Sequence, residues 1–248
     1  MAIVTGASSG IGSVYADRLA TRGYDLIMVA RDLERLRNAA NHLTESYAVA
    51  VTPLPLDLSK HSDLGILLKR IREDENIELR VNSAGIGPSG NVLDASEDAL
   101  GRMVHLNVDV LHALTVAAAN TFAAKGAGAI INIASVVALM PERFNGSYAA
   151  GKAFVLSLTQ ALDVELRPKG VHRSASGTVR ALRGAGAPAR FSTLEERNDS
   201  GADGARSGNP SSAVARAKAV RNGPPTPVDR LPVSGNPRRP SAIPVVLA

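Results

Sequence analysis

The chain has 248 residues, which is enough for one large α/β domain or for a domain with an appendage. Its hydrophobic content of 45% can build a substantial core, and the absence of cysteine excludes disulfides and thiolate metal ligands or nucleophiles. Because no apolar run reaches the length of a membrane span and no signal-peptide pattern opens the chain, we expect a cytoplasmic protein with no membrane partner.

Charge is distributed unevenly along the chain. Residues 1–171 carry 16 basic and 18 acidic side chains, a net charge of −2, whereas residues 172–248 carry 12 and 5, a net charge of +7. The overall charge of +5 therefore comes from a basic tail. Since this tail has almost no aromatic side chains for base stacking, we do not expect nucleic acid as a partner.

The chain begins with a strand, a glycine-rich turn and a helix. Residues 2–4 form an apolar run that predicts a buried strand, and Ile11, Tyr15 and Leu19 share one face of the following helix. The turn between them reads TGASSGIG over residues 5–12. Its glycine spacing, G-x-x-x-G-x-G, differs from the common dinucleotide pattern G-x-G-x-x-G. The position between strand and helix predicts a loop that holds phosphate at the helix N-terminus.

Strand and helix patterns then alternate. The strand patterns cover residues 25–30, 48–56, 77–82 and 129–134, and the helix patterns cover residues 33–43, 64–71, 97–125 and 148–166. This alternation predicts an α/β fold with a doubly wound parallel sheet, in which ligands bind beyond the carboxyl ends of the strands. Pro53 and Pro55 indicate that the second half of the third strand is irregular or near an edge, and Ser59 is predicted to cap the next helix.

Three polar residues in the second half of the body suggest chemistry. Tyr148 and Lys152 stand four residues apart and share one helix face, and Ser135 follows the strongest strand pattern. A free tyrosine hydroxyl has a pKa near 10, and a nearby ammonium lowers it toward neutrality. A serine hydroxyl can hold a carbonyl oxygen while the tyrosine gives or takes a proton. The set predicts acid–base chemistry on a carbonyl or alcohol.

With these residues in view, the sequence resembles the short-chain dehydrogenase/reductase family over residues 2–171. Residues 5–12 match the family's T-G-x-x-x-G-x-G cofactor loop, and Tyr148 and Lys152 match its Y-x-x-x-K pair. Ser135 lies 13 residues before Tyr148, which is the usual separation in the family. Several matches in the right order are far more specific than any one of them.

The resemblance implies a Rossmann-type fold that binds a nicotinamide cofactor and transfers a hydride between it and a small-molecule carbonyl or alcohol substrate. Tyr148 would be the general acid in reduction and the general base in oxidation. Lys152 would lower the tyrosine pKa and bind the nicotinamide ribose. Ser135 would orient the substrate oxygen, and Asn107 would hold a water in a proton relay. Asp57 matches the aspartate that the family directs at the adenine.

The resemblance also assigns residues to cofactor binding. They are Thr5, Gly6, Ser8, Ser9, Gly10, Ile11, Gly12, Arg31, Asp57, Leu58, Asn82, Ala84, Gly85, Tyr148 and Lys152. In this family an acidic residue at the end of the second strand favours NAD, but here that position is followed by Arg31, which suits a 2′-phosphate and favours NADP. Asp32, one residue later, tempers that preference, so NAD stays the second choice.

Two departures from the family pattern lie within residues 2–171. The family's N-N-A-G segment after the fourth strand begins with Asn82 and continues with Ser83 instead of asparagine. Arg80 occupies a strand position where an apolar residue is expected, and a buried charge there is costly unless it is paired.

The sequence changes character after Gly170. Residues 172–248 contain 9 of the 14 prolines and 11 of the 22 arginines, and they show no convincing strand or helix periodicity. We therefore divide the chain into a catalytic domain, residues 1–171, and an atypical tail, residues 172–248, which we expect to be poorly ordered. One hypothesis is that the coding frame is lost near residue 172; the nucleotide sequence of the gene tests it.

Two alternative functions and one open question accompany this interpretation. The four predicted catalytic residues, which are Asn107, Ser135, Tyr148 and Lys152, and the cofactor loop are also compatible with an inactive dinucleotide-binding protein. Such a protein would lack the substrate-binding C-terminal part. Residues 146–153 nearly match a P-loop, but Ala153 stands where Mg²⁺ needs serine or threonine. The five histidines have no metal-ligand spacing, so no metal site is expected. Apolar helices 97–125 and 148–166 could support a homodimer or homotetramer.

Overall fold

A computed structural model describes residues 1–87, 90–141 and 145–176, with the backbone alone for residues 172–176. The strands within these residues are β1 (Ala2–Thr5), β2 (Leu26–Ala30), β3 (Val51–Pro55), β4 (Leu79–Asn82), β5 (Gly128–Ile133) and β6 (Val171–Ser176). The helices are α1 (Gly10–Ala20), α2 (Leu33–Tyr47), α3 (His61–Glu73), α4 (Glu97–Val104), α5 (Leu111–Lys125) and α6 (Gly146–Leu166). The expectations for residues 177–248 lie outside the described residues.

The six strands form one parallel sheet in the order β3-β2-β1-β4-β5-β6. Starting from β1, the chain builds outward to β3 and then crosses to β4 and onward to β6. The predicted doubly wound, Rossmann-type fold is thereby confirmed. The third strand lies at an edge, as its two prolines require, since Pro53 and Pro55 cannot donate to a neighbouring strand.

Both faces of the sheet are buried, which explains why its strands read as nearly continuous apolar runs. In β1, Ala2 and Val4 pack in one core cluster with residues of α1 and α2. Ile3 points to the opposite face and packs in a second cluster with residues of α3 and α5. Because helices cover both faces, the carboxyl edge of the sheet is the place where polar residues can gather at a site.

The long helix predicted over residues 97–125 is interrupted. A π-helical segment, His105–Val110, separates α4 from α5. A single π-helical turn inserts one extra residue per turn, and such turns are common at functional sites. The prediction of one regular helix was wrong here. The spacing of apolar residues does not show which backbone N–H and C=O groups form hydrogen bonds.

The strand β6 corrects the expectation that strand structure ends at residue 171. Residues 171–176 pair in parallel with β5 from Gly128 to Ile133. The side chains from His172 to Ser176 show no apolar alternation, so periodicity did not predict a strand. Pairing uses backbone N–H and C=O groups, which every non-proline residue supplies.

Candidate active site

The glycine-rich loop has the backbone shape that a close ligand needs. Gly6 and Gly10 have φ angles of 66° and 57°, which favour glycine. A Cβ on Gly12 would overlap the carbonyl oxygen of Gly6, so α1 can approach the loop only with glycine there. Ser9, at the N-cap of α1, makes no side-chain cap bond, which leaves the first N–H groups of the helix available to an anion.

Thr5 joins the glycine loop to the segment after β4. Its Oγ1 donates to the carbonyl of Val81 over 3.3 Å and accepts from the N–H groups of Ser83 and Ala84 over 3.1 and 3.2 Å. The predicted cofactor residues Asn82, Ala84 and Gly85 therefore lie beside the predicted phosphate loop. This contact was not foreseen, since the pairing of β1 with β4 is a tertiary relationship.

Arg31 and Asp32, at the carboxyl end of β2, have different environments. The Asp32 carboxylate caps α2 by accepting from the N–H of Arg35 over 3.0 Å, and it pairs with the Arg35 guanidinium at 3.3 Å. Arg31 is exposed, and its charge acts on Asp57 across the sheet edge. The Asp32 carboxylate is thus engaged in capping α2, and Arg31 is an exposed basic residue just after β2.

Asp57 is held in place by Ser59. The Ser59 hydroxyl and N–H both donate to Asp57 Oδ1, over 2.7 and 3.2 Å. The hydroxyl bond is the main reason that the pKa of Asp57 is lowered, and the charges of Arg31 and Lys60 add to it. The predicted capping role of Ser59 was wrong, because Lys60 occupies the N-cap of α3 and the serine is turned toward Asp57. Leu58 is buried beside it.

Asn107 is buried in the π-helical segment and clamps the loop after β4. Its Oδ1 accepts from the N–H of Ile86 over 2.9 Å, and its Nδ2 donates to the carbonyl of Ile86 over 2.8 Å. A Cβ added to Gly85 would lie 2.9 Å from Asn107 Oδ1. Since both ends of the amide are used, the Asn107 side chain fixes the loop that carries Ala84 and Gly85.

Lys152 is buried, and β5 holds its ammonium. Its Nζ donates to the carbonyl of Ile133 over 2.8 Å and lies 5.7 Å from the centre of the Tyr148 ring. Burial lowers the pKa of Lys152 to about 8. The amine is therefore mostly protonated at pH 7, which places a positive charge beside the tyrosine.

The structure brings Ser135 and Tyr148 to the same end of the sheet. Ser135 lies two residues beyond Ile133, and the 3₁₀ turn that follows it, Val136–Ala138, packs against α6. Tyr148 lies in the first turn of α6, where Asn145 caps the helix by accepting from the Tyr148 N–H over 3.2 Å. Asn145 was missed in the sequence, although asparagine before a helix is a strong N-cap signal.

A buried polar network supports the strands beneath this site. Asn82 Nδ2 donates to Thr115 Oγ1 and to Asn132 Oδ1, and Asn132 Nδ2 donates to Thr159 Oγ1 on α6. The bonds tie β4, β5, α5 and α6 together under the predicted catalytic residues. Within the described part of the chain, no cluster of three or more potential metal ligands is present.

Known proteins share this fold and this sequence pattern. The family model described as short chain dehydrogenase matches residues 1–178. The chain belongs to the short-chain dehydrogenase family. The match includes β6, so it extends beyond the boundary at residue 171. The chain is therefore an oxidoreductase that acts on CH–OH groups. This follows from its family and from its similarity to alcohol and hydroxysteroid dehydrogenases.

Two solved structures are similar to this short-chain dehydrogenase. A short-chain dehydrogenase from Sphingobium yanoikuyae in complex with NADPH is 42% identical with a TM-score of 0.69, covering 71% of this chain and 70% of that one. A bulky-bulky ketone specific alcohol dehydrogenase from Comamonas testosteroni is 43% identical with a TM-score of 0.70, covering 71% of this chain and 73% of that one.

A curated relative is similar over the same part of the chain. Hydroxysteroid dehydrogenase-like protein 1 of Gallus gallus is 30% identical over 172 residues, which are 68% of this chain. The chain spans about half the length of that relative, 52% of it. Among residues 1–87, 90–141 and 145–176, no helix is long and apolar enough to cross a lipid bilayer.

Proposed function

We propose that this short-chain dehydrogenase transfers a hydride between NADP(H) and a carbonyl or alcohol substrate, with Tyr148 as the proton donor or acceptor. The observation that carries the proposal is the buried Lys152 ammonium, 5.7 Å from the Tyr148 ring and bonded to the end of β5. An ammonium held in this position can bind a polar group of a ligand beside the tyrosine, which would serve as the general acid or base.

Ser135, Tyr148 and Asn107 would have different roles at the substrate oxygen. Ser135 orients that oxygen with its hydroxyl while Tyr148 donates the proton in reduction or removes it in oxidation. A bound nicotinamide supplies or accepts the hydride at the carbonyl carbon. Asn107, whose amide binds both backbone groups of Ile86, would hold a water in the proton relay.

The residues that would hold the cofactor fit a dinucleotide. The first turn of α1 and the hydroxyls of Ser8 and Ser9 would bind the phosphates, where Gly6 and Gly12 admit no side chain. Asp57 and Leu58 would contact the adenine, and Lys152 would contact the nicotinamide ribose. The remaining predicted contacts are Thr5, Gly10, Ile11, Asn82, Ala84, Gly85 and Tyr148.

The preference for NADP over NAD rests on the end of β2. Because Asp32 caps α2 and pairs with Arg35, its carboxylate is not poised to bind a ribose hydroxyl. Arg31 is exposed at the same edge and can pair with a 2′-phosphate. Complexes with NADPH are known for the similar Sphingobium enzyme, which supports this assignment.

Three wider properties are proposed with it. The catalytic unit comprises residues 1–176, five residues more than the sequence boundary, because β6 belongs to the sheet. The protein is cytoplasmic. It forms a homodimer or homotetramer through α5 and α6, and the apolar residues Phe154 and Val164 of α6 are exposed. The mass of the protein in solution tests this assembly.

The alternative function is an inactive dinucleotide-binding protein. The partial length of the similarity favours this alternative. This chain aligns with only 70% of the Sphingobium enzyme and 52% of the chicken relative. The substrate-binding part of those proteins could lie in the unmatched remainder. NADPH binding without turnover on any carbonyl would support this alternative.

One experiment separates the two functions. The purified chain is titrated with NADPH by fluorescence and assayed for NADPH oxidation with a broad panel of aldehydes and ketones. We expect binding and turnover, loss of turnover in Tyr148→Phe by at least about a hundredfold, and NADPH affinity within about threefold of wild type. Tyr24→Phe, at the opposite end of β2 from the site, is the matched control. Retained activity in Tyr148→Phe would refute the role of the tyrosine.

A further inference from the structure

The segment between β3 and α3 brings Asp57 to the carboxyl edge of the sheet. The Leu56 N–H donates to the Ala30 carbonyl over 3.0 Å, so the chain stays beside β2 for one residue beyond Pro55. Asp57 follows directly, and the charge of Arg31 acts on its carboxylate. Asp57 therefore lies at the edge where ligands of a parallel sheet bind.

The backbone of Asp57 is held at both of its polar groups. Its N–H donates to Asp63 Oδ2 over 2.9 Å, and its carbonyl accepts from the Lys60 N–H over 2.9 Å. In the side chain, Ser59 donates twice to Asp57 Oδ1. Among the residues that the structure describes, none donates to the other carboxylate oxygen, Oδ2. That oxygen can accept a hydrogen bond from a ligand.

Asp63 reaches Asp57 from the first turn of α3. Lys60 occupies the N-cap of this helix and makes no side-chain cap bond, so Asp63 stands at the third helical position. An acidic side chain at this position commonly reaches back to the N-cap N–H, but Asp63 reaches three residues further. The Ser62 hydroxyl donates to Asp63 Oδ1 over 3.1 Å, which leaves Oδ2 to Asp57. Asp63 thus fastens the backbone of Asp57 to α3.

We propose that Asp63 is a positioning residue for the adenine half of the cofactor. The proposal rests on the proposed function, in which Asp57 contacts the adenine. The exocyclic amine of adenine is a hydrogen-bond donor, and Asp57 Oδ2 is an acceptor without a partner in the described part of the chain. Loss of the Asp63 carboxylate frees the Asp57 N–H and releases the turn that carries this acceptor.

The nicotinamide half of the cofactor should not respond to Asp63. The residue proposed to contact its ribose, Lys152, is bonded to the end of β5, and three strands separate β5 from β3 in the sheet. A change at Asp63 therefore separates the two halves of the cofactor. A loss of general stability would weaken both halves alike.

The test measures the binding of three ligands to the full chain. They are NADPH, adenosine 2′,5′-bisphosphate and reduced nicotinamide mononucleotide. We expect Asp63→Ala to weaken NADPH and the adenosine bisphosphate about tenfold each, and to leave the mononucleotide and kcat at saturating NADPH within about twofold. Asp63→Asn keeps an acceptor oxygen at the same place and should stay within about threefold of wild type for NADPH.

Asp25→Ala is the matched control. Asp25 Oδ1 accepts from the Ala50 N–H over 2.8 Å, which is the same kind of bond at the opposite edge of the sheet. This variant should bind all three ligands as the wild type does. Equal NADPH affinity of Asp63→Ala and Asp25→Ala, or equal weakening of NADPH and the mononucleotide in Asp63→Ala, would overturn this inference and leave the proposed function intact. A wild type that does not bind NADPH would overturn both.

Discussion

The Nε of Arg80 donates to Asn82 Oδ1 over 2.9 Å inside a core where both side chains are fully buried. Arg80 lies between Ile3 of β1 and Ile130 of β5, and neither of its terminal nitrogens has a hydrogen-bond partner among the described residues. Burial lowers the pKa of Arg80 to about 9, so the group still carries its charge at pH 7. The sequence-based expectation of a costly buried charge is borne out by these unpaired donors.

We expect Arg80→Leu to stabilise the protein by about 2 kcal/mol. An apolar side chain removes the desolvation cost of the guanidinium, and this gain exceeds the loss of one bond to Asn82. Urea unfolding followed by circular dichroism measures the change. Arg72→Leu, at an exposed arginine on α3, is the matched control and should stay within about 0.5 kcal/mol of wild type. Lower stability of Arg80→Leu would show that the guanidinium has a partner of its own.

Lys152 predicts a specific dependence of stability on pH. Its pKa is about 8 in the folded protein and 10.5 in the unfolded chain, so between these values the unfolded chain binds more protons. The stability of the wild type therefore rises as the pH increases from 8 to 10.5. The burial of the charge costs roughly 3 kcal/mol at pH 7, and this cost disappears above pH 10.5.

The variant Lys152→Met isolates this contribution. It should be more stable than wild type at pH 7 and should lose most of that advantage by pH 10, where the small remaining cost of the buried charge is offset by the lost bond to the Ile133 carbonyl. Unfolding midpoints between pH 7 and 10 measure the difference. Lys69→Met, which replaces an exposed lysine on α3, is the matched control. A constant difference for Lys152→Met would contradict the lowered pKa.

Gly85→Ala tests whether Asn107 must hold its position. The new Cβ would lie 2.9 Å from Asn107 Oδ1, and that amide cannot turn away without breaking both bonds to Ile86. We expect kcat/KM to fall at least about tenfold, because misplaced catalytic groups lose activity steeply. Gly87→Ala, where a Cβ meets no atom within 4 Å, should keep full activity. Equal activity of the two variants would remove Asn107 from the proposed site.

Arg31→Ala tests the coenzyme preference. It should weaken NADPH binding by roughly ten- to a hundredfold and leave NADH binding within about twofold, since only NADPH carries the 2′-phosphate. Arg37→Ala, an exposed arginine on α2, should leave both affinities unchanged. Fluorescence titration with the two coenzymes measures this. Equal loss of both coenzymes in Arg31→Ala would assign Arg31 to the shared part of the cofactor.

The parts of the site that depend on local spacing could be predicted from the sequence. Strand, glycine turn and helix follow one another in residues 2–20, and the i,i+4 spacing of Tyr148 and Lys152 places them on one helix face. These are properties of backbone geometry within a few residues, so a pattern in one chain is enough to find them.

Relationships between distant segments depended on the tertiary structure. The position of the Lys152 ammonium was decided by the carbonyl of Ile133 on β5. The π-helical segment around Asn107 and the strand β6 could not be predicted from the sequence, because both depend on which backbone groups form hydrogen bonds. The sequence by itself determined the kind of chemistry, since side-chain types and spacing carry it. The structure decided which of those side chains are free for a ligand, because hydrogen bonds across the fold occupy the others.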